Sequence, residues 1–274
     1  MVKTLIDEGR LLRIDAASMP NFVNVQKRFV DPWFDPGRHY SAPYLWGTTG
    51  FVYDPEQISG IVPESWEIFF EPPPELKGKI VALDEKKTVY GSAAFYLGID
   101  PCTDDDAEAQ RILDLLMSQK ESLAYYANSG MQQSEIFSEG TVAVRQVWNG
   151  VLFRLKKQLP RLVYVYPKEG VPVWEDNFAV PSNAPRPNNA KTFINWMLQP
   201  ENMAAATNHI TTANAIEGSA ASIDDELLAD PNVIPPAEYE DRFRTIESCS
   251  PKAQALRDRV WARLWPRSVV SEEW

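Results

Sequence analysis

From Lys79 onward the chain alternates between two hydrophobic periodicities, and this alternation narrows the fold more than any other property of the sequence. Lys79 to Leu83 is a short apolar run of strand character, and Lys86 to Leu97 then carries Val89, Tyr90, Ala93, Ala94 and Leu97 at helical spacing. Asp84 stands where an N-cap belongs. Asp104-Asp105-Asp106 opens a second helix reaching about Lys120, its acids suited to the positive end of the helix dipole. Gln133 to Gly140 reads as a short helix, Thr141 to Trp148 as a strand, Gly150 to Lys157 as a helix and Arg161 to Tyr166 as a buried strand. This alternation of strands and helices predicts an α/β sheet flanked by helices.

The strand from Arg161 stops at Pro167 and a Lys168-Glu169-Gly170 turn, and a second strand follows over Val171 to Val180 until Pro181 and Asn183 break it. Trp174, Glu175 and Asp176 lie in its middle. An aromatic ring beside a carboxylate can hold an organic cation through ring-face attraction and an ion pair. A core tryptophan and a turn acid account for the same residues equally well on spacing alone. Trp148 ends a strand just before Asn149-Gly150 turns the chain, where its ring can face an aliphatic amine or the core. Leu83 leads into a helix N-terminus, whose free N–H donors and dipole suit a ligand group.

Outside this region the pattern is simpler. Residues 2–13 suggest a surface helix ending near Gly9, Asp31 to Pro43 a loop, and Tyr44 to Tyr53 a strand in which Gly47 and Gly50 allow close backbone approach. A short helix over Glu67 to Phe70 precedes the stiff Pro72-Pro73-Pro74 linker. Asn188 to Leu198 is an amphipathic helix with Phe193, Ile194, Met197 and Leu198 on one side. Further helices are expected over Pro200 to Asn208, Asp224 to Ala229, Ala237 to Arg242 and Ala253 to Leu264, and the tail Pro266 to Trp274 reads as irregular.

Composition excludes several functions. A net charge of −11 offers no basic stripe for phosphate, which argues against nucleic acid, and no apolar run approaches a membrane span. There is no HExxH, GxSxG, GxxxxGK[ST] or strand-borne GxGxxG. His39 and His209 are the only histidines, so a triad or histidine metal site would need remote partners, and surface or capping roles are expected instead. No catalytic residue, cofactor or metal site is expected. Cys102 and Cys249 lack a CxxC spacing; one disulfide and two free thiols both fit.

The words PKEG, W-x-D and A-x-P-x-N-A, continuing into AKTFINWMLQPENMA, resemble the solute-binding proteins of ABC importers, and within them the periplasmic spermidine/putrescine-binding branch. YSAPYLWGTTG, ELKGKIVALDEKKTVYGSAAFYLG, VRQVWNG and WARLW extend the likeness along nearly the whole chain. The resemblance implies a two-lobed, type II periplasmic-binding-protein-like α/β fold. Lobe one would comprise residues 1–45 and 176–217, and lobe two residues 46–175 and 218–274. It further implies a polyamine or related amine gripped in an interlobe cleft, lobe closure about a hinge, an ABC permease in the inner membrane as partner, a periplasmic location and no enzymatic activity. Met1 to Arg10 lacks a signal-peptide layout, and the likeness begins inside the family's pattern. A missing piece of roughly sixty residues or fewer is therefore expected, leaving the first lobe incomplete.

Residue by residue, the resemblance makes Trp148 and Trp174 the cleft tryptophans and Asp176 the amine-binding carboxylate, with Glu85 retained from the L-D-D-like word. Thr88 stands where the family places another acid, Thr212 where it places a tyrosine, and Val151 where some members place an acid. Fewer carboxylates compensate less for desolvating a di- or tri-cation. A monoamine, an amino acid or another nitrogenous solute therefore fits as well, with Arg145 and Lys87 the nearby basic residues, both expected to be solvated. An enzyme on the same bilobal fold and a non-functional remnant are the competing readings.

Overall fold

The thirteen-residue strand β1 (Ser41–Tyr53) runs unbroken through Gly47 and Gly50, and its two ends belong to different compact units. The structure, a computed structural model, describes residues 1–127, 137 and 140–264. Unit one comprises Met1–Thr48, Asn149–Arg154 and Val173–Ala237, and unit two Thr49–Trp148, Leu155–Pro172 and Glu238–Trp274. Compared with the lobes implied by the resemblance, residues 46–48, 149–154, 173–175 and 218–237 fall in unit one.

In unit one, the first part of β1 pairs antiparallel with β6 (Val171–Ala179), setting Gly47 opposite Trp174 and Trp46 opposite Glu175. The register shifts between Pro43 and Trp46. Pro43 has no N–H to give a ladder, so a bulge is the economical way through. Helix α1 (Val2–Asp7) ends ahead of Gly9, whose φ of 65° is the left-handed conformation that stops a helix. Leu12 then donates to the Val180 carbonyl and ties this stretch to the end of β6.

Helices α6 (Pro187–Met197) and α7 (Pro200–Ile210) each start with proline, which lacks only an N–H that a first helical turn leaves unused. Helix α6 buries Ile194 and Met197, and Leu198 follows them inward. Phe193 does not join them: it is 52% exposed and meets Phe178 and Trp196 edgewise or tilted. Consecutive helical residues point about 100° apart, so Phe193 and Ile194 diverge at the margin of the stripe. Phe153, Ala204, Ile223, Leu227 and Val233 form a small core beneath α7 and α8 (Asp225–Ala229).

Unit two is built on a mixed sheet. Strand β2 (Ile80–Leu83) pairs in parallel with β3 (Leu123–Ala127) and β4 (Val144–Trp148), and the end of β1 runs antiparallel to β4 and β5 (Val163–Val165). The order is therefore β3-β2-β4-β1-β5. Between β2 and β3 run α3 (Lys86–Tyr96) and α4 (Asp106–Lys120), the crossover that a parallel pair requires. With α2 (Glu67–Phe70) and α9 (Pro251–Leu264) they cover one sheet face, burying Phe51, Trp66, Phe69, Phe70, Ile80, Ala82, Val89, Ile112, Leu116, Val144 and Val260 in one cluster. Cys102 and Cys249 form a disulfide, which decides the alternative left open by their spacing.

Several expectations need correction. Strand β3 was not anticipated, nor the short β7 (Phe243–Thr245). Strand β5 is shorter than expected and not wholly buried, since Val163 is 39% exposed. Glu85, not Asp84, occupies the N-cap of α3, because the Asp84 N–H is used by the Ala127 carbonyl in prolonging the β2–β3 ladder. The helix expected at Gln133 to Gly140 lies outside the described residues apart from Phe137 and Gly140. The tail Pro266 to Trp274 and the last tryptophan of the WARLW word also lie outside them.

Candidate functional site

The site in unit one is assembled around Gly47. A Cβ there would sit 2.5 Å from both Trp174 Cζ2 and Asn149 Oδ1, so the indole lies directly on the β1 backbone, and only glycine permits it. Asn149, the first residue of α5 (Asn149–Lys156), is held on both sides: its Oδ1 accepts the Thr48 N–H at 2.9 Å and its Nδ2 donates to the Asn232 carbonyl at 2.8 Å. Gly150 repeats the arrangement, since a Cβ would meet the Thr211 carbonyl at 2.3 Å and Thr212 Oγ1 at 2.7 Å. Thr211 itself adopts φ 61° at the end of α7 and turns the chain into this contact. Trp174, Asn149, Gly150 and Thr212 are thus contiguous.

Strand alternation puts Asp176 on the same face of β6 as Trp174 and Phe178, and Glu175 on the other. The two acids differ sharply in environment. Glu175 accepts from Nη2 of the fully buried Arg38 at 2.7 Å. Arg38 is further fixed by Asn177 Oδ1 at 2.5 Å, Ser41 Oγ at 3.3 Å and, through Nε, the Phe29 carbonyl at 2.9 Å. Desolvation pushes the Glu175 carboxyl up while Arg38 and Asn177 pull it back. The guanidinium holds its proton, so the two charges cancel.

Asp176 has no hydrogen bond or ion pair among the described residues, and its pKa is raised by desolvation alone. By accessible area the residue is exposed, so part of the carboxylate meets water while the packed surroundings withhold the rest of its hydration. Tyr44 sits in the bulge of β1 with its ring 4.4 Å from that of Phe178. Burial raises its phenol pKa, and the nearby Asp176 charge raises it further. An indole, a phenol and a carboxylate with no cationic partner among the described residues therefore share one face, the chemistry that accepts an ammonium group.

The other anticipated residues belong to unit two. Trp148 occupies the N-cap position of α5, half-buried against the unit-two core. Glu85 is exposed at the start of α3 and Thr88 is buried in that helix's first turn. Lys87 is exposed as expected, but Arg145 is not solvated: it has 0% exposure within β4. Strand β4 runs between β2 and β1, so Arg145 sits in the middle of the sheet and not at an open edge. Trp174, Asp176 and Thr212 thus lie in unit one, with Trp174 and Asp176 on one strand face, and Trp148, Glu85 and Thr88 lie in unit two. Tyr44, Asn149 and Arg38 were not singled out beforehand. Pro43 within a strand-like run signals a bulge and could have pointed to Tyr44; nothing local marks Arg38, whose partner lies 137 residues away. Among the described residues no group of three His, Cys, Asp or Glu side chains is arranged to hold a metal ion, and no helix is long and apolar enough to cross a membrane.

Comparisons with known proteins agree with this architecture. The family described as bacterial extracellular solute-binding protein matches residues 1–235. The putrescine-binding periplasmic protein PotF of Escherichia coli is 25% identical over 268 residues, covering 92% of this chain and 72% of that protein. The spermidine/putrescine-binding periplasmic protein of Salmonella typhimurium is 30% identical over 194 residues, 71% of this chain and 55% of its own length. The crystal structure of the spermidine/putrescine ABC transporter substrate-binding protein PotD from Streptococcus pneumoniae superposes with a TM-score of 0.81 at 23% identity, covering 96% of this chain and 80% of that one. The fold is that of type II periplasmic binding proteins.

Proposed function

Because the chain belongs to the bacterial extracellular solute-binding protein family, we propose that it captures a small organic amine of the putrescine and spermidine class, outside the cytoplasm, for an ABC importer. The observation that carries this reading is the carboxylate of Asp176, partly desolvated and without a partner among the described residues, on the same strand face as Trp174 and beside Tyr44. A partly desolvated carboxylate of this kind is stabilised by an incoming ammonium, while the indole covers the ligand's methylene groups. The Cys102–Cys249 disulfide supports the location, since such bonds persist in oxidising compartments. Members of the family and the relatives are solute-binding proteins and not enzymes, and delivery to a membrane permease is the matching role.

Isothermal titration with putrescine, spermidine, γ-aminobutyrate and a set of amino acids tests the proposal. At least one amine binds stoichiometrically without turnover, and Asp176→Asn weakens it about 10- to 150-fold, the equivalent of one charge-assisted hydrogen bond of about 1.5–3 kcal/mol. An unchanged dissociation constant in that variant removes Asp176 from the site, and conversion of an amine to product overturns the transport role.

A further inference from the structure

Arg145 is the most anomalous side chain in unit two. It is fully buried, and Nε, Nη1 and Nη2 all lack a hydrogen-bond partner among the described residues. Burial pushes its pKa below the ordinary guanidinium value, and among the described residues Tyr125 is the one titratable group acting in the opposite direction. Buried polar atoms are nearly always paired, and an unpaired ionised group in a protein interior costs several kcal/mol. A guanidinium presents five N–H donors in a rigid fork and accepts nothing, so its complement is an oxyanion.

Strand register shows what surrounds it. Val52 pairs with Arg145 on one side and Tyr164 on the other, while Val81 pairs with Arg145 and Tyr125. Paired residues share a sheet face, so Tyr125, Val81, Arg145, Val52 and Tyr164 form one row across β3-β2-β4-β1-β5. This is the face opposite the helical core, because Ile80, Ala82, Phe51 and Val144, the alternating neighbours, belong to that core. The flanking tyrosines each stand two strands from the arginine, about 10 Å at the backbone, within reach of side chains leaning inward. Tyr164 does lean: its ring overlies Gly50, where a Cβ would come within 2.8 Å of Cζ and Oη. Tyr125 is 37% exposed and gives the row an open end.

We propose that this row is an anion-binding site of unit two, in which Arg145 holds a single small oxyanion, a carboxylate or a phosphate, with the hydroxyls of Tyr125 and Tyr164 at its flanks. The two valines offer no competing polar group, so the charge of the ligand is carried by Arg145 alone. The proposal is independent of Asp176, which lies in the other unit.

The test is thermal unfolding and isothermal titration of the intact chain with potassium phosphate or sodium acetate, at ionic strength held constant with chloride, for the native protein, Arg145→Met and Tyr125→Phe. At an anion concentration ~100 times its dissociation constant the native Tm rises by about 5 °C or more. Arg145→Met, similar in length and uncharged, loses that rise and is at least as stable as the native chain in buffer without the anion. Tyr125→Phe, at an exposed position that leaves folding intact, weakens binding about tenfold. Response to phosphate alone assigns a phosphate-bearing ligand, and response to acetate assigns a carboxylate. A native Tm indifferent to both anions, or an equal rise in Arg145→Met, overturns the site; should Arg145→Met not fold, undiminished anion binding in Tyr125→Phe does so.

Discussion

The contact between Gly47 and Trp174 gives a prediction whose size follows from the geometry. In Gly47→Ala the new methyl falls 2.5 Å from Trp174 Cζ2, 3.0 Å from Cη2 and 2.5 Å from Asn149 Oδ1. Asn149 is pinned by two hydrogen bonds of 2.9 and 2.8 Å, so the indole must yield more than the amide. Overpacking of this kind costs about 1–3 kcal/mol, and the loss of glycine's freedom in the unfolded chain returns about 0.4–1 kcal/mol, leaving a net loss of roughly 1.3 kcal/mol at the midpoints. Trp174→Phe deletes both indole carbons of the clash and costs about 1–2 kcal/mol in lost burial. In the double variant the methyl occupies the vacated space while the Asn149 contact remains. The two losses therefore fail to add, with a coupling of about 1 kcal/mol in favour of the double variant. Urea unfolding followed by far-ultraviolet circular dichroism measures the cycle without depending on the fluorescence of the removed tryptophan. Additivity within about 0.5 kcal/mol would refute the packing on which the site is built.

Protonation and reduction give three further outcomes. Because the Asp176 pKa is raised above 3.8 by desolvation, amine affinity falls as the pH drops from neutral through that raised value, and Asp176→Asn flattens the profile. Without ligand the sign reverses: the raised carboxyl favours the folded state below the unfolded pKa and that contribution is lost as pH rises through the folded value, so unliganded native protein gains on Asp176→Asn at low pH. The Cys102–Cys249 bond closes a separation of 147 residues, for which chain entropy alone gives about 5 kcal/mol. Dithiothreitol, or Cys102→Ser with Cys249→Ser, lowers the denaturation midpoint of unit two, and an identical midpoint contradicts that estimate.

The amino-acid sequence alone determined the kinds of elements and their order. Helices α3, α4, α6, α7 and α9, and strands β2 and β6, are each marked by periodicity, proline or capping residues within a window of about a dozen residues. The same locality places Trp174 and Asp176 side by side, since residues two apart on a strand share a face wherever that strand pairs. Strand β3 was missed because its LAYYA segment is short and largely exposed at the sheet's edge, leaving too little apolar pattern to detect.

What tertiary structure decided is everything that depends on which distant segments meet. Glu175 and Asp176 look equivalent in sequence; only Arg38, brought to β6 across 137 residues, cancels one charge and leaves the other available. The bulge that turns Tyr44 toward Asp176, the pairing of the two cysteines and the burial of Arg145 are likewise matters of register and loop closure. Their free energies come from contacts between parts of the chain that no short window contains.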